Sequence, residues 1–244
     1  MQGDCLADRF GDLVSLSETE RQALAALPER ERPLRRGTAL LRENDRSSEM
    51  FLLKSGLMMS YLLLDDGSRQ ILCFHFPGDV IGMTALAYRS SPETIVALGD
   101  CTVCPIERTA YAELIAAHPR LGMLFMAMTQ MERVVLTDRL AGVGRTSARS
   151  RVAAMLLVLC NRLRLLDKTI ADSFSLGLTQ EEIGDATGLT AVHVNRMLRQ
   201  LEQEGLIARE NGRVTLLREA ELAAAANYVN RYAGLDLGWL PPAR

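Results

Sequence analysis

Cysteine is sparse in this chain: five residues, at positions 5, 73, 101, 104 and 160, in 244. An odd, irregularly spaced set argues against the paired framework of a disulfide-stapled secreted domain. Histidine is scarcer still. His75, His118 and His193 lie far apart and offer no metal-ligand cluster, so no metal or cofactor is expected. Long apolar runs are missing too: stretches such as Val152–Cys160 fall well short of the roughly 18–20 residues that span a bilayer. The first residues, Met1-Gln2-Gly3-Asp4-Cys5, lack the basic and apolar regions of a signal peptide, and the expectation is a cytoplasmic protein with no membrane partner. There is also no basic surplus. The net charge is −2, so any face that binds nucleic acid must be local. What is present is ample apolar material, 48% of residues, enough to build one large core or two ordinary ones.

Ser17-Glu18-Thr19-Glu20 has the form of a capping box and opens a short helix that Pro28 helps to stop. From about Pro33 to Glu107 the pattern changes to short apolar runs separated by turn residues. Met50–Leu53, Leu57–Leu64, Gln70–Phe76 and Thr94–Leu98 are the clearest strands, with Lys54-Ser55-Gly56 and Asp65-Asp66-Gly67 as hairpin turns between them. Many strands without intervening helices suggest a sandwich, roll or barrel. After Pro119 the period becomes helical. Leu121, Leu124, Phe125, Met128, Met131 and Val135 recur at intervals of three and four and form an apolar stripe. A core helix would show the same stripe, but its place between two regions of different type favours a dimer seam. Gly142 and Gly144 then mark a hinge.

The densest signal lies between Thr179 and Leu217. Thr179-Gln180-Glu181-Glu182 is a second capping box, leading a short helix with Ile183 and Ala186 inward; Gly188 suits a tight turn. Thr190 caps the next helix, which turns Val194, Met197 or Leu198, and Leu201 inward. Ala191, Val192, His193, Asn195, Arg196 and Arg199 are left on its first turns and outer face. Leu206–Arg209, Asn211-Gly212 and Arg213–Leu217 read as two strands and a tight turn, a wing. Such a second helix enters the major groove N-terminus first. Asn suits adenine and Arg suits guanine, while Arg199 and Arg213 are better placed for phosphates. The segment itself is acidic in places, but Arg145, Arg149, Arg151, Arg162 and Arg164 precede it with no acid between positions 145 and 166.

With Phe76-Pro77-Gly78-Asp79-Val80-Ile81-Gly82 in the β region and Leu178 to Leu217 near the end, the chain resembles the CRP/FNR family of bacterial regulators over roughly residues 15–220. The resemblance implies an α+β protein: an N-terminal β-roll (jelly-roll-like), a long dimerisation helix and a C-terminal winged helix-turn-helix. The expected boundaries are a sensor domain over 1–118, dimerisation helix and hinge over 119–144, DNA-binding domain over 145–220, and a helical extension and tail over 221–244. It also implies a homodimer on double-stranded DNA with an inverted repeat, and RNA polymerase as a partner. Arg196 falls where the family's base-reading arginine sits. Where many members carry a base-contacting glutamate, this chain has Val192, which suits a thymine methyl.

The same resemblance puts a candidate effector pocket at Gly82, Met83, Glu93, Thr94 and Thr137. Cyclic-nucleotide members carry Gly-Glu, nine residues, then Arg-Ser or Arg-Thr. Here that spacing gives Gly82-Met83 and Glu93-Thr94. A thioether replaces the ribose acceptor, and an anion replaces the phosphate-binding cation. The expected signal is therefore something other than a cyclic nucleotide, its identity open. The iron–sulfur branch has three clustered N-terminal cysteines; this chain has only Cys5 there. Cys101 and Cys104, three apart on a strand, are read as packed residues in preference to a redox or metal pair. An enzyme on a cupin-like barrel would need a histidine and carboxylate cluster, and only His75 lies between residues 30 and 110. The remaining alternative is a dimeric adaptor that binds no DNA.

Overall fold

The computed structural model describes residues 5–27 and 30–243, so Pro28 lies outside the described residues. The chain divides into two units. One holds the residues up to Leu62, Leu72–Gln130 and those from Asp236 on; the other holds Leu63–Ile71 and Met131–Leu235.

The first unit begins with α1 (Cys5–Gly11) and α2 (Glu18–Ala26). The capping box of α2 is closed: the Glu20 amide donates to Ser17 Oγ at 3.3 Å, and the Ser17 amide donates to Glu20 Oε2 at 2.9 Å. Then come β1 (Arg32–Leu34), β2 (Ala39–Leu41), β3 (Glu49–Ser55), β4 (Met58–Leu63), β5 (Arg69–His75), β6 (Val80–Ile81), β7 (Thr94–Ala97) and β8 (Cys101–Glu107). They form two four-stranded sheets, β1-β8-β3-β6 and β2-β7-β4-β5. One apolar cluster takes Leu53 and Val103 from the first sheet and Met58 and Ile95 from the second, and this burial is what makes the roll a single core. Cys101 and Cys104 are both buried in β8 as free thiols. Burial pushes the Cys101 thiol above its usual range, as expected for a packed residue and contrary to a reactive one.

Helix α3 (Arg108–Ala117) leads into α4 (Pro119–Arg145). The stripe expected to be a dimer seam is largely occupied within its own chain. Leu121, Leu124, Phe125, Met128 and Met131 are buried, and Val135 is half-buried. Phe125 explains part of this: its ring meets Phe10 edge-on at 4.8 Å and Tyr111 at 5.1 Å. The stripe is therefore core, and α4 presents a different face outward. The helix break does not fall at the two glycines read as a hinge. Gly142 and Gly144 lie inside α4, which ends at Arg145; the break falls at Thr146-Ser147, where Thr146 Oγ1 donates back to Gly142 O at 2.7 Å and Ser147 caps the following helix.

The second unit contains α5 (Ala148–Leu166), β9 (Ser173–Ser175), α6 (Gln180–Thr187), α7 (Ala191–Gln203), β10 (Ile207–Glu210), β11 (Arg213–Leu216) and α8 (Glu219–Ala226). Its small sheet has the order β10-β11-β9. Strand β9 carries no local signal in sequence; it forms because Phe174 lies opposite Val214 and both are buried.

Candidate nucleic-acid interface

The interface is assembled from α6, α7 and the β10–β11 wing. The α6 capping box is complete, with the Thr179 amide donating to Glu182 Oε2 at 2.7 Å and the Glu182 amide to Thr179 Oγ1 at 3.1 Å. Gly188 ends the helix at φ +67, a backbone conformation that costs a side chain more than it costs glycine. The turn then folds back tightly. A Cβ on Gly184 would lie 2.4 Å from the Leu189 carbonyl oxygen, so a glycine at 184 sets how closely α6 approaches the start of α7.

Thr190 starts α7 by accepting the His193 amide at 3.3 Å, and its Oγ1 also lies 3.2 Å from His193 Nδ1. Val194, Met197, Leu198 and Leu201 are buried, which orients the helix. Val192 stands 79% exposed, and His193, Arg196 and Arg199 are exposed with it; Asn195 is half-buried. Among the described residues neither Arg196 nor Arg199 forms an ion pair. Two cations and an imidazole thus share the accessible side of a helix whose opposite side is pinned by four apolar residues.

In the wing, Asn211 and Gly212 both take positive φ, the geometry of a tight two-residue hairpin. Arg213 is exposed but anchored: its Nε donates to Ser173 Oγ at 3.2 Å and its terminal nitrogen to Ser173 O at 2.9 Å. Sequence reading did not anticipate Ser173, which lies 40 residues away.

The arginine run before the helices is not the free basic face that its composition suggested. Arg149 donates through Nε to both carboxylate oxygens of Glu204, at 3.1 and 3.0 Å, and holds that carboxyl below the usual carboxylate range. Arg164 pairs with Glu219 at 2.8 Å. Arg162 is buried beneath the Tyr232 ring at 5.1 Å, and Arg151 donates to Val143 O. Of this run Arg145 stays exposed at the end of α4, and the other cations open to a polyanion are chiefly those on α7.

The candidate pocket residues come from both units. Gly82, Met83, Glu93 and Thr94 belong to the first unit, Thr137 to the second. Thr137 Oγ1 donates to Arg133 O of its own helix at 2.8 Å. Thr94 Oγ1 accepts the Glu43 amide at 3.1 Å. Burial pushes the Glu93 carboxyl up, only partly offset by a hydrogen bond from the Ser60 side chain. A half-buried carboxylate at this position disfavours an anionic ligand.

Residues 31–118 match the family described as cyclic nucleotide-binding domain, and residues 150–225 match the Crp-like helix-turn-helix domain. The transcriptional activator protein Anr of Pseudomonas aeruginosa is 30% identical over 215 residues, which cover 87% of this chain and 87% of that protein. The fumarate and nitrate reduction regulatory protein of Escherichia coli is 26% identical over 94% of this chain and 92% of its own length. Among solved structures, FixK2 from Bradyrhizobium japonicum superposes with a TM-score of 0.74 at 28% identity, covering 82% of this chain and 98% of that one.

Proposed function

Because the chain belongs to the CRP/FNR family of transcription regulators, we propose that it works as a homodimer that reads an inverted-repeat operator with α7 and answers to a signal other than a cyclic nucleotide. The observation that carries this reading is α7 itself, capped by Thr190, buried along Val194, Leu198 and Leu201, and open along Val192, His193, Arg196 and Arg199. Arg196 is the main base reader in this proposal, with Asn195 and His193 tuning it and Val192 offered to a thymine methyl. Thr190, Arg199 and Arg213 hold phosphates.

The proposed dimer seam lies on the outward face of α4. Met126, Arg133 and Leu140 are seven apart, and Thr129, Leu136 and Val143 follow each by three, the spacing of a two-stranded coiled coil. All six are exposed, Leu140 at 75%. Met126, Leu136, Leu140 and Val143 are the apolar members of this row, and pairing two copies removes them from water. The names of the relatives as activators support RNA polymerase as a further partner. Among the described residues no helix is long and apolar enough to cross a membrane, and no group of residues is suited to hold a metal ion; neither a membrane nor a metal cofactor enters the proposal.

The test is selection of bound fragments from a random oligonucleotide pool by the purified full chain. The expected result is a two-fold symmetric motif with half-sites about one helical turn apart. Failure to enrich any motif would move the adaptor reading to the front.

A further inference from the structure

An α-helix leaves its last carbonyls without partners inside the helix. At the end of α6, Gly184 O is taken by the Gly188 and Leu189 amides. The next two carbonyls are met from elsewhere in the chain. Gln70 Nε2 donates to Asp185 O at 2.8 Å, and a terminal nitrogen of Arg139 donates to Ala186 O at 2.6 Å. Arg69 adds a charged bond to the Asp185 side chain, with Nε at 2.7 Å and a terminal nitrogen at 2.6 Å from Oδ2. Arg139 also donates to Ile71 O at 2.8 Å, which ties the hairpin and α4 to the same point. The groups are half-buried, so the bonds are stronger than those of a solvated surface pair. The donor segment, Leu63–Ile71, is the outer end of the β4–β5 hairpin, and it belongs to the same unit as the DNA-binding helices.

We propose that this hairpin tip is a positioning arm for the helix-turn-helix: Arg69 and Gln70, together with Arg139, serve as the C-terminal cap of α6 and so fix where α7 is presented. The inference rests on the DNA-binding reading above and deepens it. The mechanical link runs through Gly184, where the close approach of the Leu189 carbonyl leaves little room for α7 to shift once α6 is held. None of the arm's bonds involves Val192, His193, Arg196 or Arg199, so it leaves the reading face open. What it governs is geometry. A single recognition helix can dock on a half-site wherever it is, whereas two helices on a full operator must arrive at a fixed separation, and any freedom in α6 is lost on binding. Arg69, Gln70 and Arg139 are positioning residues that act through α6.

The experiment compares full-length Arg69→Asp, Asp185→Arg and the double exchange with wild type. Two readouts are taken: amide hydrogen exchange across residues 182–187 without DNA, and affinity for half-sites and for inverted repeats with the spacer lengthened stepwise. Each single variant should speed exchange in α6. Each should lose about tenfold in affinity for the best-spaced full operator, tolerate altered spacers, and keep half-site affinity within about twofold; the double exchange should restore both readouts. Unchanged exchange in both single variants would overturn the proposal, as would equal losses on half-sites and full sites, which would mean damage to α7 itself. If wild type binds no DNA, the functional reading fails, while the exchange comparison still decides whether the arm holds α6.

Discussion

The Thr190 hydroxyl lies 3.2 Å from His193 Nδ1 while receiving the His193 amide at 3.3 Å, so one side chain both caps α7 and steadies the ring on its first turn. That leaves Nε2 as the ring nitrogen turned away from Thr190. Replacing Thr190 by Ala should cost about 1 kcal/mol of stability through the lost cap. It should also weaken selection at the base pair that His193→Ala alters. Chemical denaturation and motif selection with both variants check this; if the two variants affect different positions, the ring is not held by Thr190 on DNA.

Arg196→Ala should lose about 1–3 kcal/mol per half-site, with the loss concentrated at one symmetric base pair. Arg199→Ala should weaken all sequences alike and lower the salt slope by about one ion per subunit. Binding isotherms across a salt series distinguish the two. An Arg196 variant that selects the wild-type motif at wild-type strength would show that α7 is not the reader.

Leu140 and Met128 separate the two faces of α4. Leu140→Glu should leave the fold intact and weaken dimerisation by several kcal/mol, because it places a charge in the proposed seam. Met128→Glu puts the charge into the chain's own core and should lower the melting temperature of the protein whatever its oligomeric state. Light scattering and thermal melts on both variants read the difference; a Leu140→Glu dimer as tight as wild type would rule out the outward face.

The Glu93 carboxyl is raised by burial, so the folded chain binds its proton more tightly than the unfolded chain. Its protonated form therefore contributes stability below the unfolded carboxyl's range, and this is lost as pH rises through the raised folded value. Glu93→Gln should be more stable than wild type at pH 7, and the advantage should vanish in acid. Thermal melts from pH 4 to 8 measure this. Cyclic AMP should neither bind wild type at micromolar concentration by calorimetry nor shift those melts.

The Arg120–Glu20 pair is mostly shielded from water, with side chains 14% and 6% exposed. Truncating Arg120 to Ala leaves the buried carboxylate without its cation, with the Ser17 amide still donating to it, and should cost about 3–5 kcal/mol, measured by urea unfolding. A loss below about 1 kcal/mol would place the pair with exposed surface bridges.

The elements legible in the sequence were those whose signals are local. Thr179 and Thr190 announce α6 and α7 because caps act within three residues, and Gly56 and Gly67 punctuate strands because turns do too. The two faces of α4 were harder, since both are apolar at helical spacing. The denser row, through Phe125 and Met128, is the one its own chain covers; the sparser heptad from Met126 to Val143 carries the seam proposal and could have been found by testing a period of 3.5. Long-range pairs leave no such trace. Nothing around Ser173 or Gln70 signals that Arg213 lies 40 residues on or Asp185 115 residues on.

Arg120 has two more partners than its ion pair requires. Besides Glu20 it donates to Ser15 O at 2.9 Å and to Pro241 O at 2.6 Å, so a single guanidinium gathers segments from both ends of the chain. During synthesis the first two contacts are available as soon as α4 begins to emerge. The third must wait until the whole DNA-binding unit has been translated. The N-terminal unit can therefore fold early but is closed last, and a chain cut short within α7 would carry an N-terminal unit whose final seam is still open to solvent and to other chains.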